Sequence, residues 1–530
     1  MRIYFTNAQL YDGTGDKACK GHLLIEDDRI VSIHFGDAAS DVKADQVVNC
    51  ERLAIAPGFI DAHSHNDWFA ARQGKQRFFK PFLEQGITTQ VTGNCGFSPF
   101  GYERGTKHEP LIGSGLFTHG DAQGDLSTLS GFMAAAGALP VNLHPLLGHM
   151  SSRVSLAGYE TRALTADELR AQDALLEREL EAGAAGLSFG LMYEPDRYAT
   201  YDELKRAALL AKKYDRPLTV HARACSAAST SYNPPVGGRA HNLRALDEML
   251  RLVRETDVSM QFSHLIFVGS KTWKTVDEAL MLIDEINREG HSFFYDSYAM
   301  LYGASLITVV LPGWYLTLPK AKRSQPAALA RLAVEVGVTK RLLGFDFRDI
   351  QITWAGLEHA DIVGKNIHEI ALLWGISDLR AYLRLVDDTD GKGRVLMYKY
   401  LTDEILARLM ADDKCLAMTD AWIEEQGMQN PAAFCCFPEF LRIARVKHTF
   451  ARTIRQMTGA TADRFALKER GYLREGYFAD LVIFDPDTVA PAADRNGAPI
   501  GIQQVYLNGA QVVKDGQAVQ DANAGRFILR

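Results

Sequence analysis

The chain has 530 residues, 47% of them hydrophobic and 23% charged, with a formal net charge of −7. The acidic balance argues against a general nucleic-acid binder. No run of about 18 uncharged apolar residues offers a membrane span, and the N-terminus lacks the apolar stretch of a secretory signal. Seven cysteines at irregular spacing make no disulfide framework, so a cytoplasmic protein with reduced thiols is expected.

Residues 1–55 read as short alternating strands with turn residues between them, and the stretches around 479–485 and 505–513 look alike. Both ends are expected to build one small β-sandwich domain, 1–55 plus 470–530, with 56–469 inserted between them. Inside the insert, short apolar runs fall at 56–61, 88–92, 141–147, 186–190, 217–220, 259–263, 292–295 and 415–418. Amphipathic segments such as 166–182 and 201–214 lie between them. That alternation marks a parallel sheet with helical crossovers, and eight such units close as a (β/α)8 TIM barrel. The expected fold class is therefore α/β. Residues 304–413, between the seventh and eighth runs, are helical in pattern and too long for a plain connection. A helical insertion or lid is expected there.

The ends of these runs carry the chemistry. His63 and His65 stand two apart after the first run, so a strand would turn both imidazoles to one face. Cys95 follows the second run, His221 ends the fifth, His264 follows the sixth and Asp420 follows the eighth. Imidazole and thiolate suit zinc, and a carboxylate completes an open catalytic site. Barrel chemistry gathers at the C-terminal strand ends, so all six converge. Singly, each has a plain structural reading. His221 or His264 can satisfy a core hydrogen bond, Cys95 can be a small apolar core residue, and Asp420 can cap a helix. The joint pattern favours metal-dependent hydrolysis. The vicinal Cys435 and Cys436, between Phe434 and Phe437, read as packing.

The motifs Pro57-Gly-Phe-Ile-Asp-Ala-His-Ser-His65, Gly93-Asn-Cys-Gly96, Gly186-Leu-Ser-Phe-Gly-Leu-Met-Tyr-Glu-Pro195, Phe262-Ser-His-Leu265 and Gly471-Tyr-Leu-Arg-Glu-Gly-Tyr-Phe-Ala-Asp-Leu-Val482 span nearly the whole chain. Together they resemble the amidohydrolase superfamily, and within it the N-acyl-D-amino-acid deacylases. The resemblance implies a tightly held zinc on Cys95, His221 and His264, with Cys95 where many relatives carry a carboxylated lysine. It implies a second, weaker metal position at His63, His65 and Asp420. It implies hydrolysis of an amide-type C–N bond in a small-molecule substrate, Asp420 taking the water's proton and passing it to the leaving nitrogen. Tyr193 and His149 are second-rank candidates for substrate or oxyanion contacts. A homo-oligomer is allowed for.

The chain departs from that resemblance at the substrate. The strand-six lysine that helps hold the substrate's α-carboxylate is replaced by Ile266, and a basic His-Pro-Arg motif by Asn430-Pro-Ala432. The Asp-x-Tyr-Pro-Tyr stretch keeps only its first tyrosine, Tyr298. The simplest expectation is a substrate whose leaving part lacks the usual α-carboxylate. The competing one is that Arg223, Arg153, Lys271 or Lys274 supplies the charge. A cyclic amidase of the hydantoinase or dihydroorotase kind is the alternative reaction, against which the cysteine speaks. A non-catalytic metal-binding barrel is the alternative class, against which all six retained ligands speak.

Overall fold

In the computed structural model of the protein, residues 1–36, 42–113, 115–232 and 237–530 are described. The first apolar run is not one strand. Ala54–Pro57 pairs with Leu481–Phe484 in a terminal sheet, and Phe59–Asp61 starts the barrel. Gly58 divides them, because a Cβ there would sit 2.2 Å from the Thr88 hydroxyl. Only glycine allows so close an approach there.

Parallel pairing then runs through Phe59–Asp61, Ile87–Thr92 and Asn142–Pro145. The third run also breaks, its second piece being Leu147–Gly148. From there the order continues through Leu187–Gly190, Leu218–His221, Met260–Phe262, Phe293–Ser297 and Cys415–Ala417, again all parallel. The Ala62 N–H donates to the Ala417 carbonyl at 3.1 Å, joining the eighth strand to the first. Nearly every residue of these strands is buried, as parallel strands covered by helices must be.

The helices follow the sequence pattern closely. Ala166–Glu181 starts at Thr165, whose side chain accepts from the Glu168 N–H in a full capping box. Tyr201–Lys213 is capped by Thr200 in the same sense, with Lys212 and Lys213 in its last turn.

The chain ends meet in one hydrogen-bonded nine-stranded sheet that folds over on itself, bringing the Phe5 and Tyr506 rings within 5.2 Å across the sandwiched core. Its first strand, Arg2–Leu10, changes partner along its length, pairing with Gln46–Asn49 over Ile3 to Thr6 and with Ala54–Pro57 over Gln9 and Leu10. A bulge between Phe5 and Ala8 makes the change. The inner face packs around Phe5, Leu23, Ile25, Leu481 and Tyr506.

Residues 304–413 are not simply helical. Gly303–Leu306, Ile350–Trp354 and Arg394–Met397 form a three-stranded antiparallel sheet, accompanied by helices including Pro326–Leu343 and Asp378–Asp388. Strands of four or five residues are too short for their period to stand out among helical neighbours. Among the described residues no helix is long and apolar enough to cross a membrane.

Candidate metal centre

All six expected ligands arrive at one place, beyond the C-terminal ends of the barrel strands. The Cys95 sulfur lies 3.3 Å from His63 Nε2, 3.5 Å from His221 Nδ1 and 3.6 Å from His264 Nε2. An Asp420 carboxylate oxygen stands 3.4 Å from His65 Nε2 and 3.6 Å from His63 Nε2. Two triads with metal-ligand spacing share the thiol: His63, His65 and Cys95 form one, Cys95, His221 and His264 the other. Three of the six have left-handed backbone, Cys95 (φ 54°), His264 (φ 35°) and Asp420 (φ 46°). Non-glycine residues held there concentrate at functional sites.

The donor set fits a cation. Three imidazole nitrogens and one thiol converge on a single buried point, the nitrogen and sulfur donors that zinc takes. Burial pushes the Cys95 thiol up to about 11, with His63 offsetting only part of this. A bound cation reverses that preference, because a coordinated thiol is deprotonated. Burial also works against ionisation of Asp420, but the contact with His65 and the imidazoles around it hold the carboxyl well below its usual range. It stays an anion facing the same space.

A supporting layer fixes these groups, and sequence reasoning assigned it no role. Asp296 accepts from the His264 N–H at 2.6 Å and from Gln261 Nε2 at 2.9 Å, with His63 Nδ1 3.7 Å away. Asp61 accepts from the Thr419 N–H at 2.9 Å and its hydroxyl at 2.6 Å, and from the His63 N–H at 3.2 Å. Both carboxylates sit at strand ends, so the rule that picked out Asp420 also points to them.

The expected substrate contacts divide. The Tyr193 ring lies 4.5 Å from that of His221, and burial raises the phenol well above its ordinary value. Tyr298 is buried and raised in the same way. Both are neutral hydrogen-bond donors beside Asp420, as is Tyr400, pushed up by burial, which the sequence did not single out. His149 is corrected. Its ring is buried, with Nδ1 2.9 Å from Asp196 and Nε2 3.5 Å from Glu203, so both nitrogens face carboxylates rather than a ligand. Burial works to lower its pKa, but Asp196 and Glu203 prevail and raise it. Arg223 is corrected too. Its Nε meets both Glu248 oxygens at 3.0 and 2.9 Å, and its other nitrogens donate to the carbonyls of Arg197 and Ala199. Arg153 is buried against Glu203 and the Arg162 carbonyl. Neither arginine is left to clamp a substrate carboxylate; Lys271 and Lys274 are exposed.

An aromatic wall closes the other side. Phe117 stacks on His65 with centroids 4.8 Å apart, and Trp422 meets His65 at 5.8 Å. Trp422 donates its indole N–H to Glu424 at 3.0 Å, and Glu424 pairs with Arg394 from the three-stranded sheet. The segment between strands seven and eight thus reaches the rim of the site.

Comparison with known proteins finds relatives of one kind. Residues 54–285 match the model of the amidohydrolase family. A D-aminoacylase from Alcaligenes xylosoxydans is 29% identical over 537 residues, covering 100% of this chain and 97% of that protein. The solved N-acyl-D-glutamate deacylase from Bordetella bronchiseptica, complexed with zinc and a phosphonate mimic of the tetrahedral intermediate, is 26% identical. It covers 100% of this chain and 99% of its own, with a TM-score of 0.80. A solved D-aminoacylase described as having a binuclear metal centre is 25% identical, with the same coverage and a TM-score of 0.80.

Proposed function

Starting from a chain that carries an amidohydrolase family domain and resembles D-aminoacylase from end to end, we propose a zinc-dependent hydrolase of amide-type C–N bonds. The observation that carries this reading is the convergence of Cys95, His63, His221 and His264 on one point, with Asp420 beside them. We propose one tightly held zinc on Cys95, His221 and His264, and a weaker second position using His63, His65 and Asp420. Zinc held there supplies a Lewis acid beside the scissile carbonyl.

The chain's own groups do the rest. Asp420, kept ionised, accepts the proton of the attacking water and returns it to the leaving nitrogen. Asp296 orients His63 and His264, and Asp61 ties His63 to the end of the eighth strand. Tyr193, Tyr298 and Tyr400 keep their protons and offer donors to the substrate's oxygens.

The substrate is an N-acyl amine or a related amide whose leaving part lacks a free α-carboxylate. Ile266 stands where a basic residue is expected and is buried, while Arg153 and Arg223 are held by Glu203 and Glu248. An uncompensated buried carboxylate costs several kcal/mol. We further propose that 1–55 with 470–530 form one small β domain on a 56–469 barrel, and that 304–413 covers the site.

The test is metal content by mass spectrometry, with an amide hydrolysis screen, on the wild type and Cys95→Ala. About one tightly held zinc, lost together with activity in the variant, supports the reading. Zinc indifferent to Cys95 refutes the ligand assignment.

A further inference from the structure

Two fully buried side chains that the proposed chemistry leaves unused, His149 and Asp196, meet beside the loop that carries Cys95. That loop is seated on three sides. The Ser188 hydroxyl accepts from the Gly96 N–H at 3.0 Å and donates to the Gly93 carbonyl. The Ser151 N–H, in the first turn of the helix His149–Ala157, donates to the Gly96 carbonyl at 3.2 Å. The Cys95 carbonyl oxygen rests on Gly190, where a Cβ would come within 2.1 Å of it. Asp196 locks this third side. One of its oxygens accepts from the Gly190 N–H at 3.1 Å, and the other takes His149 Nδ1 at 2.9 Å.

Cys95 needs such a seat. Its left-handed backbone (φ 54°) is disfavoured for any residue with a side chain, and it persists only where the surroundings over-determine it. Burial opposes a charge on His149, but Asp196 and Glu203 raise its pKa and keep the ring protonated. Glu203 stands 3.5 Å from Nε2 and also pairs with Arg153. Without the imidazole Asp196 loses its countercharge, and a buried carboxylate in that state turns away or takes up a proton. Either change releases the Gly190 N–H.

We propose that His149 and Asp196 are a positioning pair: together they hold the Cys95 loop on the fourth strand and so set the strength of the metal–thiolate bond, without themselves being ligands. The inference rests on Cys95 as a metal ligand in the proposed function and adds what keeps that ligand in place.

The experiment loads the metal-free full chain with cobalt(II), which stands in for zinc and whose bond to a thiolate gives a near-ultraviolet charge-transfer band. His149→Leu removes the donor to Asp196, Asp196→Ala removes the acceptor, and a double variant removes both. Each is expected to bind cobalt about 10–100-fold more weakly, with a weaker thiolate band per bound ion and the circular dichroism of wild type. The double variant is expected within about twofold of the worse single, because both singles break the same contact. His149→Asn keeps an N–H where Nδ1 stood, and is expected to retain most of the affinity and the band. The double variant leaves neither charge of the pair unpaired, so it carries the test where a single fails to fold. Wild-type affinity and band in the variants that fold, effects that add in the double, or a loss as large in His149→Asn as in His149→Leu overturns the pairing. In those cases a band present in wild type and absent in Cys95→Ala leaves the metal centre standing. A wild type that binds no cobalt, or binds it without a thiolate band, overturns the Cys95 ligand assignment and this inference with it.

Discussion

Asp420 holds two roles in the proposed site, weak metal ligand and proton carrier, and one substitution separates them. Asp420→Asn removes the carboxylate's proton affinity while keeping its size, and it leaves the Cys95, His221 and His264 triad untouched. The expected result is a kcat lower by about 10²–10⁴-fold with one zinc per chain still bound. Steady-state kinetics and metal analysis on the same preparation check it; kcat within a factor of three of wild type would remove Asp420 from the proton path. The convergence of the six proposed ligands was legible in the sequence because each sits at or just beyond a strand end, and strand ends could be counted. Asp296 obeys the same rule and carries the same side chain as Asp420, and only the structure shows it bonded to the His264 N–H and set beside His63. His149 departs from the sequence expectation for another reason. A histidine after a strand looks the same whether it faces a cavity or two buried carboxylates, and only packing tells Asp196 and Glu203 apart from open space.

Close approach of elements places the thiol. A Cβ on Gly190, the last residue of the fourth barrel strand, would lie 2.1 Å from the Cys95 carbonyl oxygen, and one on Gly96 would lie 2.8 Å from the Gly190 nitrogen. The loop carrying Cys95 therefore rests directly on that strand's backbone. Gly190→Ala must push the loop away. Overpacking of this kind costs about 1–3 kcal/mol, and the displaced sulfur should weaken zinc affinity at least tenfold. Chelator competition reads the affinity and thermal unfolding the stability. Gly337→Ala is the control: its Cβ meets nothing within 4 Å in the helix Pro326–Leu343, so it is expected to stabilise slightly. Equal zinc affinity in Gly190→Ala would show that the loop is not held by this contact. Motif glycines at 93, 96, 186 and 190 were visible in the sequence, but their distances to neighbours were not. The same limit hid the break at Gly58 and the short strands of 303–397. Periodicity reports which residues are apolar, not where a chain of uniformly buried residues changes partner.

The terminal sheet and the barrel are joined by a buried polar cluster. Arg470 pairs with Asp480 and donates to the Asn508 side chain at 2.7 Å. Asn508 in turn donates to Asn142 on the third barrel strand at 2.9 Å, and the Arg526 N–H reaches the same Asn142 oxygen at 3.0 Å. The final residues extend the seam, with the Ile528 N–H on the Leu143 carbonyl and the Arg530 N–H on that of Gly183. Alternating patterns at both chain ends announced a shared β unit, yet nothing in them announced this cluster, which ties residues 470–526 to Asn142, 366 residues before Asn508. It gives a structural reason for the Phe-Ala-Asp-Leu-Val stretch that ends at Val482. The Asp480 side chain is 6% exposed and that of Arg470 4% exposed, so Arg470→Ala leaves a buried carboxylate without its countercharge. Losing one partner of such a pair costs about 3–5 kcal/mol. The variant should melt well below wild type, while zinc stoichiometry and kcat measured at low temperature stay unchanged, because the cluster lies away from the ligands. Arg470→Ala combined with Asp480→Asn should recover part of the loss, since a neutral amide removes the unpaired charge and keeps the partners from Asn508. If Arg470→Ala instead melts with wild type, the Arg470–Asp480 pair contributes little and the remaining contacts hold the two parts. If it loses zinc before it unfolds, the seam transmits its geometry through the third strand to the metal centre.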